Sequence, residues 1–257
     1  MKKNAFTVFA GDKQQEITYF GEQDLPVSIG ILLDTSGSME YSRKRADLLK
    51  DVVAKFVREN NPANEYFVMG FKNKGQLLVD WTKDVDAITG VIKDVPQSFA
   101  GTAIFDTCYE AIEKLKQRPN LRRAILLITD GQDTVSQRKN SDLFSMVKQT
   151  DVMIYSVRLS NSQTEGLTLS GVSDLDTLSS ISGGQMRPIN QMNFLPVAAE
   201  IFARELRHQY VIGFTPTNLE SKWHRVKVKV LPVIIKDSAQ SKPVEPLVQT
   251  RQGFSLP

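Results

Sequence analysis

The 257-residue chain is 41% apolar and 24% charged, the balance of a globular protein rather than a disordered or fibrous one. Its 32 Lys and Arg against 29 Asp and Glu leave a net charge of +3, too mild to argue for nucleic acid or an anionic membrane unless the charge is clustered. No apolar run reaches the roughly 20 residues that span a bilayer, and the single cysteine, Cys108, excludes an intrachain disulfide and a Cys₂His₂ zinc site.

The chain opens with Met1-Lys2-Lys3, and no apolar signal core follows. Residues 6–20 read as two short strands around the turn signal Gly11-Asp12-Lys13. The segment 27–33 is a short branched apolar run, which suits a strand buried on both faces. It stops abruptly at Asp34-Thr35-Ser36-Gly37-Ser38, a cluster of one carboxylate and three hydroxyls. Asp34, Ser36 and Ser38 alternate and can face one point, and Gly37 permits a tight turn, so hard oxygen donors are gathered as a divalent cation requires.

A helix is expected over 42–59, with Leu49, Val52, Val53 and Phe56 on one face; Arg43-Lys44-Arg45 is its solvated start and Asn60-Asn61-Pro62 its stop. Strands over 65–71 and 76–79 are joined by so short a turn, 72–75, that they must run antiparallel. A helix over 85–95 and a small-residue loop over 97–101 come next. Thr102 then opens a helix striped by Ile104, Cys108, Ala111, Ile112 and Leu115, which makes Cys108 an inert core thiol. A second sealed strand, 124–129, also ends at an acidic turn, Asp130-Gly131-Gln132-Asp133. Beyond it lie a helix (141–150), a strand (152–157), a helix (175–181), a brief strand (185–188) and a helix (194–206). Past Gln209 only strands remain: 210–214, 223–230 and one near 247–254, with 238–246 read as a polar, mobile connection.

Alternating strands and helices call for a doubly wound, mostly parallel α/β sheet of Rossmann-like type. With the common strand order 3-2-1-4-5-6, the strands ending at Asp34 and Asp130 are neighbours at the switch point, where a crevice opens beyond their carboxyl ends. The descending third strand returns the chain to that same edge at Gly101-Thr102. Asp34, Ser36, Ser38, Thr102 and Asp130 would then converge.

These three parts, Asp34-Thr-Ser36-Gly-Ser38, Gly101-Thr102 and Thr129-Asp130-Gly131, resemble the metal-ion-dependent adhesion site of von Willebrand factor type A (vWA) domains. The Lys13-Gln-Gln-Glu-Ile17 opening, Gln209-Tyr210-x-x-Gly213-Phe214-Thr-Pro and the closing Thr250-Arg-Gln-Gly-Phe254 are similar to the bacterial VWFA-related, acidobacterial-type family. The resemblance implies that the five residues hold Mg²⁺ (or Mn²⁺/Ca²⁺), Ser36 and Ser38 through hydroxyls, Thr102 directly or through water, Asp34 and Asp130 through waters or direct contact. One coordination position is left over, which an Asp or Glu of a protein partner would fill. It also implies a non-enzymatic adhesion module and an exported location, the export signal lying outside this chain. The domain organisation expected is an N-terminal hairpin (1–24), a vWA domain (25–209) and C-terminal strands (210–257) that join the hairpin in a small accessory β module.

Two other readings compete. The ion could serve only to brace the loops of a structural or assembly module. A haloacid-dehalogenase-like phosphatase also puts an Asp at the end of its first strand and binds Mg²⁺, but it needs a second Asp two residues on as acid/base, and that place is Ser36. The only histidines, His208 and His224, read as a helix-end and a strand-surface residue outside the cluster. Asp106 and Asp133 are expected at its rim as a solvated helix start and loop. Any one of these polar residues alone would be an ordinary cap.

Overall fold

The computed structural model describes residues 1–22, 24–39, 43–92, 101–159, 169–217, 223–236 and 241–255, with the side chains of 38, 43–45, 169–172, 234–236, 241, 242 and 255 left aside. The expected helix start at Ser42, the end of the 85–95 helix, most of the 97–101 loop, part of the 238–246 link and the side chains of Arg43-Lys44-Arg45 lie outside it.

The N-terminal segment forms β1 (Phe6–Ala10), β2 (Lys13–Gln15) and β3 (Ile17–Glu22), three strands where two are read from the sequence. Gly11 takes the turn between the first two at φ 59°, a backbone region that suits glycine. The central unit then runs β4 (Val27–Asp34), α1 (Arg43–Glu59), β5 (Glu65–Phe71), β6 (Gly75–Thr82), α2 (Val85–Gly90), α3 (Ile104–Lys116), β7 (Arg122–Thr129), α4 (Asn140–Lys148), β8 (Val152–Leu159), α5 (Leu169–Ser182), β9 (Met186–Ile189) and α6 (Leu195–Arg207). The C-terminal part gives β10 (Tyr210–Phe214), β11 (Trp223–Val230), β12 (Val233–Lys236), β13 (Ser241–Val244) and β14 (Gly253–Ser255).

The central sheet has the order β6-β5-β4-β7-β8-β9. β5, β4, β7, β8 and β9 are parallel to their neighbours, and β6 returns antiparallel on the edge, as the short 72–75 turn requires. β4 at the centre is buried along its whole length because helices cover both faces. Ile29, Ile31 and Leu33 pack with Leu49 and Val53 of α1 and Phe202 of α6 on one side. Leu32 packs with Ile112 of α3 and Leu175 of α5 on the other. A fully buried Leu or Ile contributes about 1.5–3 kcal/mol, so this double layer fixes the strand order. Asn60 ends α1 by donating from Nδ2 to the Phe56 carbonyl at 2.8 Å.

The two chain ends meet. β1 pairs antiparallel with β2 and β11, and β14 extends the sheet on the far side of β11. β3 pairs with β10 in a second, two-stranded sheet. Phe6, Phe20 and Tyr210 tie the two together, their ring centroids 5.0–5.5 Å apart. The 238–246 connection differs from its reading. β13 lies within it and pairs with β12, and a two-stranded ribbon has free edges where Pro243, lacking an N–H, is tolerated. The final strand is only β14, shorter than the 247–254 expected.

Candidate metal centre

Asp34 is the last residue of β4 and is 0% exposed. Its Oδ1 accepts the Ser36 N–H at 2.9 Å, which curls the chain back around the carboxylate. Its Oδ2 accepts the hydroxyl of Thr129 at 2.6 Å. Thr129 ends β7, which lies beside β4 with Leu33 opposite Ile128. The Thr129 oxygen in turn accepts the Gly131 N–H at 3.1 Å, setting the turn that carries Asp130. Gly131 sits at φ 104°, and a Cβ there would lie 2.8 Å from Arg158 Cδ, so glycine is required on both counts.

The third loop reaches the same edge through its backbone. Thr35 donates its N–H and its hydroxyl to the Phe71 carbonyl at 2.7 and 2.9 Å. Just beyond the end of β5, the Lys72 carbonyl accepts the Ala103 N–H at 2.7 Å, and Asn73 Oδ1 accepts that of Gly101 at 2.7 Å. Thr102 exchanges two bonds with Thr134, its N–H donating to the hydroxyl and its carbonyl accepting the Thr134 N–H, both at 2.8 Å. A chain of short hydrogen bonds thus links all three loops. Asp34, Ser36, Thr102 and Asp130 are all buried at this edge. The Ser38 side chain lies outside the described residues; its backbone is in a short 3₁₀ turn, Gly37–Met39, whose Met39 is buried.

The electrostatics are those of negative charge taken out of water. Burial, and then the neighbouring Asp130 carboxylate, push the Asp34 carboxyl up from 3.8 to about 6, against the pull of hydrogen bonds from Ser36 and Thr129. A dication between such groups reverses both causes, since it replaces lost hydration and sets opposite charge beside each carboxylate. Among the described residues no three His, Cys, Asp or Glu side chains cluster for a metal. The edge offers two carboxylates with hydroxyls, a hard, all-oxygen set of the type Mg²⁺ and Ca²⁺ take.

Several supporting residues carry no signal in the sequence. Thr129 was legible only as part of a motif, and its contact with Asp34 depends on strand order. Asp133 and Asp106, expected as solvated, are clamps. Asp133 accepts the Phe105 N–H at 3.0 Å and the Ser136 N–H at 3.1 Å. Asp106 accepts the N–H groups of Gln137 and Arg138 at 2.8 and 3.0 Å; burial raises its pKa, but these bonds and the Arg138 guanidinium hold it below the usual value. Together they fasten the start of α3 to the loop after β7. Cys108 is fully buried, and burial and then Asp133 push its thiol up to about 12, which leaves it inert. His208 caps α6, and His224 packs on Phe254 of β14.

Residues 29–132 match the family model of the von Willebrand factor type A domain. The chain carries a domain of that family, and the strand order and loop ends described above are its frame. No curated protein matches the sequence. Among solved structures it is similar to a von Willebrand factor type A protein from Catenulispora acidiphila, at 12% identity and a TM-score of 0.59, over 96% of this chain and 75% of that one. It is similar to the vWF domain of the type V pili tip protein Mfa5 from Porphyromonas gingivalis, at 12% identity and 0.55, over 70% and 94%. It is also similar to proximal thread matrix protein 1 from the mussel byssus, solved with a zinc-occupied MIDAS motif, at 17% identity and 0.57, over 76% of this chain and 49% of that one. The chain therefore matches about half the length of the byssus protein. At these identities the likeness is one of fold.

Proposed function

We propose that Asp34, Ser36, Ser38, Thr102 and Asp130 hold one divalent cation, Mg²⁺ or else Mn²⁺ or Ca²⁺, and that the domain uses it to capture an Asp or Glu side chain of a protein partner. The observation that carries this reading is the fully buried Asp34 carboxylate, fixed by Ser36 and Thr129 beside a second carboxylate at the point where three loops are tied together. When bound, the cation would supply an electrophilic point for an anionic oxygen. The chain's own part is to orient the donors and keep them dry. Ser36 stands where a phosphatase would need its acid/base carboxylate, which favours binding over bond cleavage. The zinc-occupied motif of the byssus protein and the pilus-tip setting of the Porphyromonas domain support ion binding, an interaction role and an extracytoplasmic location. We further propose residues 25–209 as the vWA unit, flanked by 1–24 and 210–257 as one accessory module of the bacterial VWFA-related type; the family match over 29–132 and the pairing of β1 with β11 and of β3 with β10 support this division.

Isothermal titration of chelator-treated protein with MgCl₂ and MnCl₂ tests the reading. One cation per chain is expected, with uptake abolished in Asp34→Asn and in Ser38→Ala while circular dichroism stays unchanged. An absence of cation uptake by the wild type, or full uptake by Asp34→Asn, overturns it. Partner capture lost in EDTA with the fold intact marks adhesion; a lowered Tm alone marks an ion that only braces the loops. Magnesium-dependent hydrolysis of a phosphomonoester, lost in Asp34→Asn, would replace both with the phosphatase.

A further inference from the structure

A net charge of +3 conceals a row of cations on the accessory sheet. Along β11 the even-numbered Val226, Val228 and Val230 are half-buried, whereas Trp223, Arg225, Lys227 and Lys229 are exposed. Alternate residues of a strand lie about 6.6–6.8 Å apart, so the three cations form a row about 13–14 Å long. Cross-strand pairing sets Phe9 opposite Lys227 and Thr7 opposite Lys229 on the same outer face. Beside Thr7 and Gln14 the sheet borders a shallow cleft of about 530 Å³ that Lys2 and Lys3 also line, with Glu16 as its one acid. Among the described residues Arg225, Lys227 and Lys229 form no ion pair.

Two details decide what the face is for. First, its aromatic rings are already occupied. Lys229 Nζ lies 5.2 Å from the centroid of Phe9, and Lys148 Nζ lies 5.5 Å from that of Trp223. A single-stranded nucleic acid stacks its bases on aromatic faces and would have to compete with these lysines for them. Second, exposed apolar side chains adjoin the cations. Leu231, next in the alternation after Lys229, is 61% exposed while its N–H is held by the Ala5 carbonyl at 2.9 Å. The β12–β13 ribbon that follows belongs to no larger sheet and exposes Val233 and Val244. Cations that meet phosphate headgroups beside apolar groups that enter the acyl boundary are the combination a bilayer surface selects.

We propose that the outer face of the β14-β11-β1-β2 sheet, with Leu231 and the β12–β13 ribbon beside it, docks on an anionic phospholipid bilayer. This docking is independent of the metal centre, which lies at the carboxyl ends of the central strands. Co-sedimentation with phosphatidylcholine vesicles, with and without phosphatidylglycerol, tests it. Binding is expected only with the anionic lipid and should weaken as salt rises. The double variant K227Q/K229Q should bind about 30-fold more weakly, on the order of fivefold per lysine. Leu231→Ser should lose about tenfold through its lost apolar contact. The side chains of Lys227, Lys229 and Leu231 are exposed, so each variant is expected to keep the circular dichroism spectrum of the wild type. Asp34→Asn should bind vesicles like the wild type, so the fate of the metal reading does not decide this one. Equal binding to neutral vesicles, unweakened K227Q/K229Q, or tighter binding to a single-stranded oligonucleotide than to anionic vesicles overturns the proposal.

Discussion

The molecule contains two kinds of sheet, and they use their side chains in opposite ways. β4 in the central sheet is buried at every position, so no face of it is left for chemistry, and function is confined to where the strand ends. β11 in the accessory sheet alternates half-buried valines with exposed Trp, Arg and Lys, so its face is the surface that can act. A sheet covered by helices on both sides works at its edge, and a sheet covered on one side works across its face. The loop ends of the first are tied by hydrogen bonds from Thr35, Ala103, Thr129 and Thr134.

Substitutions can break or sharpen this contrast. The largest effect is expected from Leu32→Ala, which empties a site sealed on both sides and should cost about 3 kcal/mol in urea denaturation. A cost under 1 kcal/mol would mean that the central layer is less continuous than described. At the opposite end of β5, Glu65 accepts from Arg118 Nε at 2.8 Å and from the Ser28 hydroxyl at 2.6 Å. The Arg118 hydrogen bond, with help from Ser28 and against burial, holds the Glu65 carboxyl below its usual 4.5. A depressed acid stabilises the fold above its unfolded value and loses that contribution as pH falls through its folded one. Glu65→Gln should therefore cost about 1–2 kcal/mol at neutral pH and nothing at the acid limb, read as a flatter stability profile below pH 4.5.

Thr129→Val removes the donor to Asp34 Oδ2 while keeping the shape of the β7 end. Cation affinity should fall about tenfold by calorimetry, as for other groups that orient a ligand, with about 1 kcal/mol lost from the fold. Unchanged affinity would show that strand position alone sets the carboxylate. In the accessory sheet Val228→Ala should cost only about 1 kcal/mol, because that face is half-covered to begin with. Smallest of all, Lys116→Ala breaks an exposed pair with Glu113 at 3.0 Å and should move Tm by no more than its error, at most about 0.5 kcal/mol.

Reading the sequence went furthest where burial leaves a local trace. The mainly apolar runs over 27–33 and 124–129 read as sealed strands, and their polar stops marked the edge at which Asp34 and Asp130 stand. It went less far where partners are distant. The β12–β13 ribbon lay in a segment read as a polar link because a two-stranded ribbon needs no core pattern of its own. Asp106 and Asp133 read as wet because backbone partners such as Arg138 and Phe105, 32 and 28 residues away, leave no mark beside a carboxylate.

By itself, then, the order of residues determined the α/β class, the parallel sheet with one reversed edge, and the oxygen-bearing turns, since each follows from periodicity and turn chemistry within a few residues. Only the tertiary structure decided that Thr129 would grip Asp34, that Lys72 and Thr134 would hold the Thr102 loop, and that Phe9 and Thr7 of β1 would stand opposite Lys227 and Lys229 of β11. Those contacts join segments far apart in the chain, and closing such loops becomes favourable only when the whole core is buried at once.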